Sequence, residues 1–148
     1  MIYFEDFAEG DTKEFGDITV SREMIVEYAK KYDPQPMHLD EEAGRASILG
    51  GLAASGIHTA SLMMRMLCDD LLLHAASLGS PGVDELRWEV PVRPGDRLRA
   101  RRTVKAVRAS KSNPRMGIVT LFVEVFNESG RVMWMEAASM FARKESAA

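Results

Sequence analysis

The spacing of apolar residues predicts helices in the first half of the chain. From residue 22 to residue 32 they recur every three or four positions, which is the spacing of one buried helix face. Ser21 stands just before this run and is expected to be its N-cap, because a serine hydroxyl accepts a hydrogen bond from a free first-turn amide. Pro34 ends the helix, since proline cannot continue it. In the same way, Asp40 is expected to cap a short helix over residues 41–46.

The longest helical pattern covers residues 56–77. Its polar residues lie three or four positions apart on one narrow stripe: His58, Ser61, Arg65 and Asp69. Most other positions are apolar, and a helix that is apolar around most of its circumference is a buried one. Several of these residues are methionines, which suit irregular packing against a curved sheet. We therefore predict a long central helix that other elements of the chain cover.

Alternating apolar and polar positions predict strands in the second half. In residues 85–92, Leu86, Trp88 and Val90 fall on one face and charged residues on the other. The predicted strands are residues 13–20, 85–92, 97–108, 117–127 and 131–143, with residues 2–7 as a short edge strand or arm. A tight turn over residues 127–130 joins the last two strands as a hairpin. Long antiparallel strands together with one buried helix predict an α+β fold with one layer of each.

Composition limits the classes of function. A length of 148 residues predicts a single domain over residues 1–148. The net charge of −3 gives no electrostatic reason to expect nucleic acid or an anionic membrane as a partner. The one cysteine, Cys68, excludes an intrachain disulfide and a cysteine-cluster metal site. No export signal is apparent, and charges interrupt the longest apolar run, so we expect a soluble cytoplasmic protein.

A group of basic residues lies on the strand predicted over residues 97–108: Arg99, Arg101, Arg102 and Lys105. A solvated strand face is the simplest interpretation. A site for an anionic ligand, such as the phosphate of a nucleotide, is the alternative.

A proline-held segment, Y-A-K-K-Y-D-P-Q-P-M-H-L-D, carries the candidate chemistry. It places Asp33 and His38 five residues apart, with Pro34 and Pro36 between them. Each proline fixes its own φ and favours extended backbone in the residue before it, so the segment is expected to be a stiff turn. It presents one carboxylate and one group that titrates near neutral pH. The spacing alone is a weak signal, because a loop with a surface Asp and a capping His has the same pattern.

Three runs resemble one protein family and occur in the same order as in that family. They are Y-D-P-Q-P-M-H-L-D, A-S-G-I-H and P-V-R-P-G-D. The chain resembles the MaoC-like dehydratases and (R)-specific enoyl-CoA hydratases over roughly residues 4–144. This resemblance implies the hot-dog fold, in which an antiparallel sheet wraps a long central helix. It also places Asp33 and His38 on the family's catalytic pair, and Gly56 on the glycine that starts the central helix.

Two positions depart from the family's pattern. Tyr32 stands where the family usually has glycine, and Gln35 stands where it has an asparagine. That asparagine helps to hold the catalytic water and the catalytic pair. Gln35 is therefore expected to position water or substrate, and its extra methylene is expected to affect rate and substrate preference.

The residue types suit the hydration of an α,β-unsaturated thioester. This reaction adds water at the β-carbon and a proton at the α-carbon, and negative charge develops on the thioester oxygen. Asp33 and a neutral His38 can hold one water and share the proton transfers, although the sequence leaves their acid and base roles open. Free amides at the start of the central helix, at Gly56, can stabilise the oxygen. His58, in the same turn, is interpreted as a packed or capping histidine.

The resemblance therefore implies a hydro-lyase that acts on a 2-enoyl thioester, with the acyl group on coenzyme A or on a carrier protein. No metal and no organic cofactor is required, and coenzyme A enters only as part of the substrate. We also expect a homodimer or a multiple of one, because one helix and about five strands leave open sheet edges and a wide apolar face. Two alternatives remain: a hot-dog acyl-CoA thioesterase, and a non-catalytic protein that binds acyl thioesters.

Overall fold

A six-stranded antiparallel sheet wraps around one long helix in the computed structural model, which describes residues 1–144. The strands are β1 (Thr12–Thr19), β2 (Ser77–Gly79), β3 (Glu85–Trp88), β4 (Arg97–Ala109), β5 (Met116–Asn127) and β6 (Gly130–Ala142). Their order is β1-β4-β5-β6-β2, and β3 pairs with a second stretch of β6. This arrangement is the predicted α+β hot-dog fold.

Three α-helices and three short 3₁₀ turns complete the described residues. The helices are α1 (Arg22–Tyr32), α2 (Glu41–Ala46) and α3 (Gly56–Asp70), and the 3₁₀ turns are Phe4–Asp6, Pro36–His38 and Leu72–His74. α1 has the predicted bounds, and the Ser21 hydroxyl accepts a hydrogen bond of 3.1 Å from the Met24 amide. The Asp40 carboxylate caps α2 by accepting a hydrogen bond of 2.9 Å from the Ala43 amide. Both caps were expected from sequence.

The core lies between α3 and the sheet. Alternate side chains of β5 point inward, which gives a run of buried valine and leucine residues along that strand. Met63, Met66 and Leu67 on α3 belong to the same buried cluster. Burying an apolar side chain of this size contributes about 1.5–3 kcal/mol. α3 is therefore the central helix of the fold, as predicted.

α3 is shorter and less completely buried than predicted. It ends at Asp70 instead of residue 77, and the chain continues as the 3₁₀ turn Leu72–His74 and the short strand β2. Ile57 is 55% exposed and Met64 is 41% exposed, so one side of α3 is open to solvent. His58, predicted to lie on a polar stripe, is only 4% exposed.

Two further predictions are wrong in detail. Residues 2–7 do not form an edge strand, because Ile2 makes only an isolated bridge to Ala75 and Phe4–Asp6 is a 3₁₀ turn. The strand predicted over residues 85–92 ends at Trp88. Beyond that residue, the amides of Glu89 and Val90 both donate to the carbonyl of Val132, so the regular ladder stops.

The basic residues of β4 do not form one solvated face. Arg102 is nearly buried and its Nε donates to the Asp70 carboxylate at 2.8 Å. Lys13 binds the same carboxylate at 2.6 Å. Burial opposes the ionisation of Asp70, but the hydrogen bonds from Lys13 and Arg102 outweigh burial and lower the pKa of Asp70. Arg102 thus ties β4 to the C-terminal end of α3.

No helix within residues 1–144 combines the length and the apolar character needed to cross a bilayer.

Candidate active site

The proline turn brings Asp33 and His38 together. Asp33 is the C-cap of α1, where its backbone amide donates to the Ala29 carbonyl at 2.9 Å. The chain then reverses through the 3₁₀ turn Pro36–His38. As a result, Asp33 Oδ2 and His38 Nε2 lie 3.5 Å apart. The two residues that the family resemblance implied as a pair are therefore adjacent in space.

A backbone carbonyl fixes the orientation of the His38 ring. His38 is 6% exposed, and its Nδ1 lies 2.8 Å from the carbonyl oxygen of Ala53. A carbonyl can only accept a hydrogen bond, so Nδ1 carries a proton in the neutral ring. The lone pair of Nε2 then points towards Asp33. Two acceptors at 3.5 Å do not bond to each other, but each can accept one hydrogen of a single water molecule.

Uncharged donors hold the Asp33 carboxylate. The Ser55 hydroxyl donates to Oδ2 at 2.6 Å, and the Gln35 amide donates to Oδ1 at 2.7 Å. The hydrogen bond from Ser55, followed by that from Gln35, lowers the pKa of Asp33 below its usual value. Asp33 is therefore an ionised carboxylate at neutral pH.

Ser55 is a site residue that the sequence analysis missed. It is the N-cap of α3 and is only 1% exposed, yet its side chain makes no capping hydrogen bond because its hydroxyl donates to Asp33. The first amides of a helix have no acceptor inside the helix. Since Ser55 does not cap them, they remain available to a ligand at the start of α3.

Trp88 explains why position 56 is a glycine. Its indole Nε1 donates to the Gly56 carbonyl at 2.8 Å. A β-carbon added at Gly56 would lie 2.6 Å from the Trp88 ring, which is closer than side chains pack. Gly56 is the first residue of α3, so the indole closes one side of the helix N-terminus.

All four predicted site residues line one cavity of about 480 Å³. Its polar lining includes Asp33, Gln35, His38, Ser55 and Gly56, and its apolar lining includes Leu49, Ile57, Trp88, Val90 and Val92. A mostly apolar cavity with a few convergent polar groups is the usual form of a small-molecule site.

Comparison with known proteins matches the sequence of this chain to a family. The model of the MaoC like domain matches residues 6–125. The chain belongs to the MaoC-like domain family.

Solved structures of similar proteins agree with that assignment. The MaoC-like dehydratase from Rhodospirillum rubrum is 41% identical, with a TM-score of 0.91 over 98% of this chain and 99% of that chain. The monoamine oxidase regulatory protein from Archaeoglobus fulgius is 26% identical, with a TM-score of 0.86 over 97% of this chain and 96% of that chain. The R-hydratase PhaJ1 from Pseudomonas aeruginosa is 23% identical, with a TM-score of 0.74 over 97% of this chain and 87% of that chain. At the identity of the last comparison, the likeness shows the fold alone.

His58 lies beside the site of this MaoC-like domain but does not line its cavity. Its ring stacks on Tyr28 with a centroid distance of 4.4 Å and an interplanar angle of 6°. Burial lowers the pKa of His58, so the ring is neutral. Within residues 1–144 its Nδ1 has no hydrogen-bond partner. This geometry agrees with the interpretation of His58 as a packed histidine.

The two departures from the family's sequence pattern lie in different surroundings. Tyr32 is 70% exposed and packs at 5.1 Å against Tyr28, outside the cavity lining. Gln35 is inside the cavity and binds the catalytic candidate Asp33. Of the two, only Gln35 is placed to affect chemistry directly.

Proposed function

We propose that this MaoC-like protein is a hydro-lyase that reversibly hydrates a 2-enoyl thioester, in the simplest case an enoyl-CoA, to a 3-hydroxyacyl thioester. One observation carries the proposal. An ionised Asp33 and the Nε2 of His38 lie 3.5 Å apart in a largely apolar cavity, next to the uncapped start of α3. The 41% identity to a MaoC-like dehydratase supports it.

The pair can bind the attacking water through both of its hydrogens. Asp33 Oδ2 accepts one and His38 Nε2 accepts the other, which directs the water oxygen towards the β-carbon. As the new C–O bond forms, one member of the pair takes a proton from the water. The same proton is then delivered to the α-carbon, so that water adds across the double bond and the pair returns to its first state. Each positioned proton transfer is typically worth 10²- to 10⁴-fold in rate.

The start of α3 supplies the complementary charge. When water attacks the β-carbon, electron density moves onto the thioester oxygen. The amide of Gly56 has no acceptor inside the helix and lies at the positive end of the helix dipole. Donors aimed at a developing oxyanion typically contribute 10²- to 10³-fold. No step of this scheme needs a metal or an organic cofactor.

A panel of purified enoyl-CoAs of several chain lengths tests the proposal. Hydration is followed as the loss of enoyl absorbance, and free thiol is measured in the same samples. We expect absorbance loss without thiol release. Thiol release from saturated acyl-CoAs would instead identify a thioesterase. Binding of every acyl-CoA without any turnover would identify a non-catalytic acyl-thioester protein. The 26% identity to a monoamine oxidase regulatory protein is the observation that favours this alternative.

We further propose that two copies assemble over the cavity mouth. Four exposed apolar side chains lie on the solvent side of α3 and next to the edge strand β3: Ile57, Met64, Trp88 and Val90. Three of them, Ile57, Trp88 and Val90, also line the cavity. A second copy would cover this apolar surface, and exposed apolar patches of this kind commonly mark association. Sedimentation at micromolar concentration should therefore show a dimer or a multiple of one. A single species of 16.5 kDa would contradict the assembly.

A further inference from the structure

The connection between α2 and α3 orients both members of the proposed catalytic pair. This α2–α3 connection, residues 47–55, carries the Ala53 carbonyl that binds His38 Nδ1 at 2.8 Å. It also carries the Ser55 hydroxyl that binds Asp33 at 2.6 Å. Any shift of this connection moves an acceptor and a donor on which the site geometry depends.

The connection contains two adjacent glycines, so its contacts with other parts of the chain matter for its shape. Gly50 has a φ of 70° and Gly51 a φ of 158°, and neither lies in a helix or strand. Glycine loses more conformational freedom on ordering than any other residue. Two backbone hydrogen bonds tie the connection to residues outside it. The Ala54 amide donates to the Val92 carbonyl at 2.9 Å, and the Gly51 amide donates to the Gly44 carbonyl at 3.0 Å.

The side chain of Arg93, the residue after Val92, supplies a further anchor for the connection. Its Nη2 donates to the Leu49 carbonyl, and its Nη1 donates to the Leu52 carbonyl at 3.3 Å. No carboxylate oxygen of residues 1–144 lies within 4.0 Å of this guanidinium. The half-buried guanidinium of Arg93 therefore donates its side-chain hydrogen bonds to backbone carbonyls. Gly51 fits this role, because a β-carbon there would lie 3.0 Å from Nη1.

We propose that Arg93 is a positioning residue of the active site. By fixing Leu49 and Leu52, it holds the Ala53 carbonyl on His38 Nδ1 and the Ser55 hydroxyl on Asp33. The planar fork of arginine suits this task, because it binds two separate carbonyls at once, whereas lysine is a single compact charge. The effect on rate rests on the proposed hydratase function, but the effect on the His38 ring does not.

Arg93→Lys tests the proposal, with Arg97→Lys as the matched control. Arg97 lies in the same region but pairs with Asp17 through two hydrogen bonds of 2.7 Å on the exposed side of β1. We expect Arg93→Lys to lower kcat about 10- to 100-fold with KM changed less than about threefold, because small misplacements of reacting groups cost this much. Arg97→Lys should stay near the wild type. If the lysine variant does not fold, Arg93→Gln, which keeps an uncharged donor, replaces it.

A measurement without substrate separates positioning from the reaction itself. The chain has three histidines, so the ¹⁵N signals of His38 can be assigned by their loss in His38→Ala. We expect the wild type and Arg97→Lys to show His38 protonated at Nδ1, and Arg93→Lys to show mixed tautomers or a broadened Nδ1 proton. An unchanged His38 spectrum in folded Arg93→Lys would overturn the proposal, whatever happens to the rate. A changed spectrum in a protein that hydrates no enoyl thioester would refute the proposed function and leave the positioning role intact.

Discussion

The two ends of α3 each lie beside a carboxylate of lowered pKa, but the partners of the two carboxylates differ. At the N-terminal end, Asp33 is held by two uncharged donors, Ser55 and Gln35, and faces the titratable ring of His38. At the C-terminal end, Asp70 is bound by Lys13 at 2.6 Å and Arg102 at 2.8 Å, which are permanent cations. In the proposed mechanism Asp33 exchanges a proton with His38 through water, whereas two cations hold Asp70 as an anion.

The helix dipole gives these two environments a physical basis. The positive N-terminal end favours negative charge, and its uncapped amides can bind a developing oxyanion. The negative C-terminal end disfavours a carboxylate, so Asp70, the last residue of α3, needs cations from β1 and β4. A lowered pKa alone does not identify a catalytic carboxylate. What distinguishes Asp33 from Asp70 is that its hydrogen-bond donors are uncharged, whereas those of Asp70 are cations.

The largest effect is expected from breaking the pair at the N-terminal end. Asp33→Asn and His38→Ala should each lower kcat/KM by about 10³-fold or more, because each removes one of the two groups that bind a single water. The double variant should lose little more than either single variant, since residues that act as a unit are strongly non-additive. Initial rates on the best enoyl-CoA measure this. Near-wild-type activity in either folded single variant would refute the assignment.

The amide at Gly56 is expected to give the next largest effect. Any β-carbon at this position meets Trp88, so the comparison requires a Trp88→Leu background in which a methyl group has room. In that background, Gly56→Pro should have a kcat about 10²- to 10³-fold below Gly56→Ala, because proline lacks the N–H donor. Proline is tolerated in the first turn of a helix, so both variants should fold. Equal losses in the two variants would show that steric fit, and not the amide, matters here.

A smaller effect is expected from Ser55→Ala, which removes the strongest contributor to the low pKa of Asp33. The pKa of Asp33 should rise, so the acidic limb of the kcat/KM–pH profile should move to higher pH, with a loss of roughly tenfold at neutral pH. Because the folded-state pKa of Asp33 is lowered, its contribution to stability is present above the unfolded value of about 3.9 and is lost as pH falls through the folded value. Ser55→Ala and wild type should therefore become more similar in stability in acid. An unmoved acidic limb would show that Asp33 ionisation does not limit the rate.

The smallest effect on activity is expected at the other end of α3. Asp70→Asn should leave kcat/KM within about twofold of the wild type, because Asp70 does not line the cavity. It leaves the nearly buried Arg102 without its carboxylate, which should cost about 2 kcal/mol of stability. Thermal unfolding should show a Tm lower by roughly 4–8 °C. A large activity loss with an unchanged Tm would reverse the proposed roles of the two ends.

The sequence predicted the parts of the site that depend on local chain geometry. The two prolines between Asp33 and His38 predicted a stiff turn, because they restrict the local backbone. The assignment of the two residues as a pair came from the family resemblance, since their spacing alone is a weak signal. The bounds of α1 were predicted correctly, because its cap and its terminating proline are both local signals. The α+β class followed from the long alternating strands and the central apolar helix, whereas the hot-dog fold was implied by the family resemblance.

The site residues that were missed depend on contacts between distant parts of the chain. Ser55 meets Asp33 across 22 residues, and Trp88 meets Gly56 across 32 residues. Neither contact has a spacing that a sequence pattern can reveal. The end of α3 was misplaced because the leucine-rich run after Asp70 remains apolar while it changes from helix to the 3₁₀ turn Leu72–His74. The spacing of apolar residues predicts that this run is buried, but it does not show where the backbone leaves the α-helical conformation.

The uncapped start of α3 implies a conflict between stability and activity at a single residue. Ser55→Asp would introduce a strong N-cap, which is worth about 0.5–2 kcal/mol where a cap is missing. The new carboxylate would, however, accept hydrogen bonds from the first-turn amides that the proposed reaction uses, and would place a second negative charge beside Asp33. Because Ser55 is only 1% exposed, its replacement by aspartate would also bury a carboxylate beside the ionised Asp33, and that cost opposes the gain from the cap. Under the proposed function, the missing cap at this helix end is what leaves the first-turn amides open to substrate.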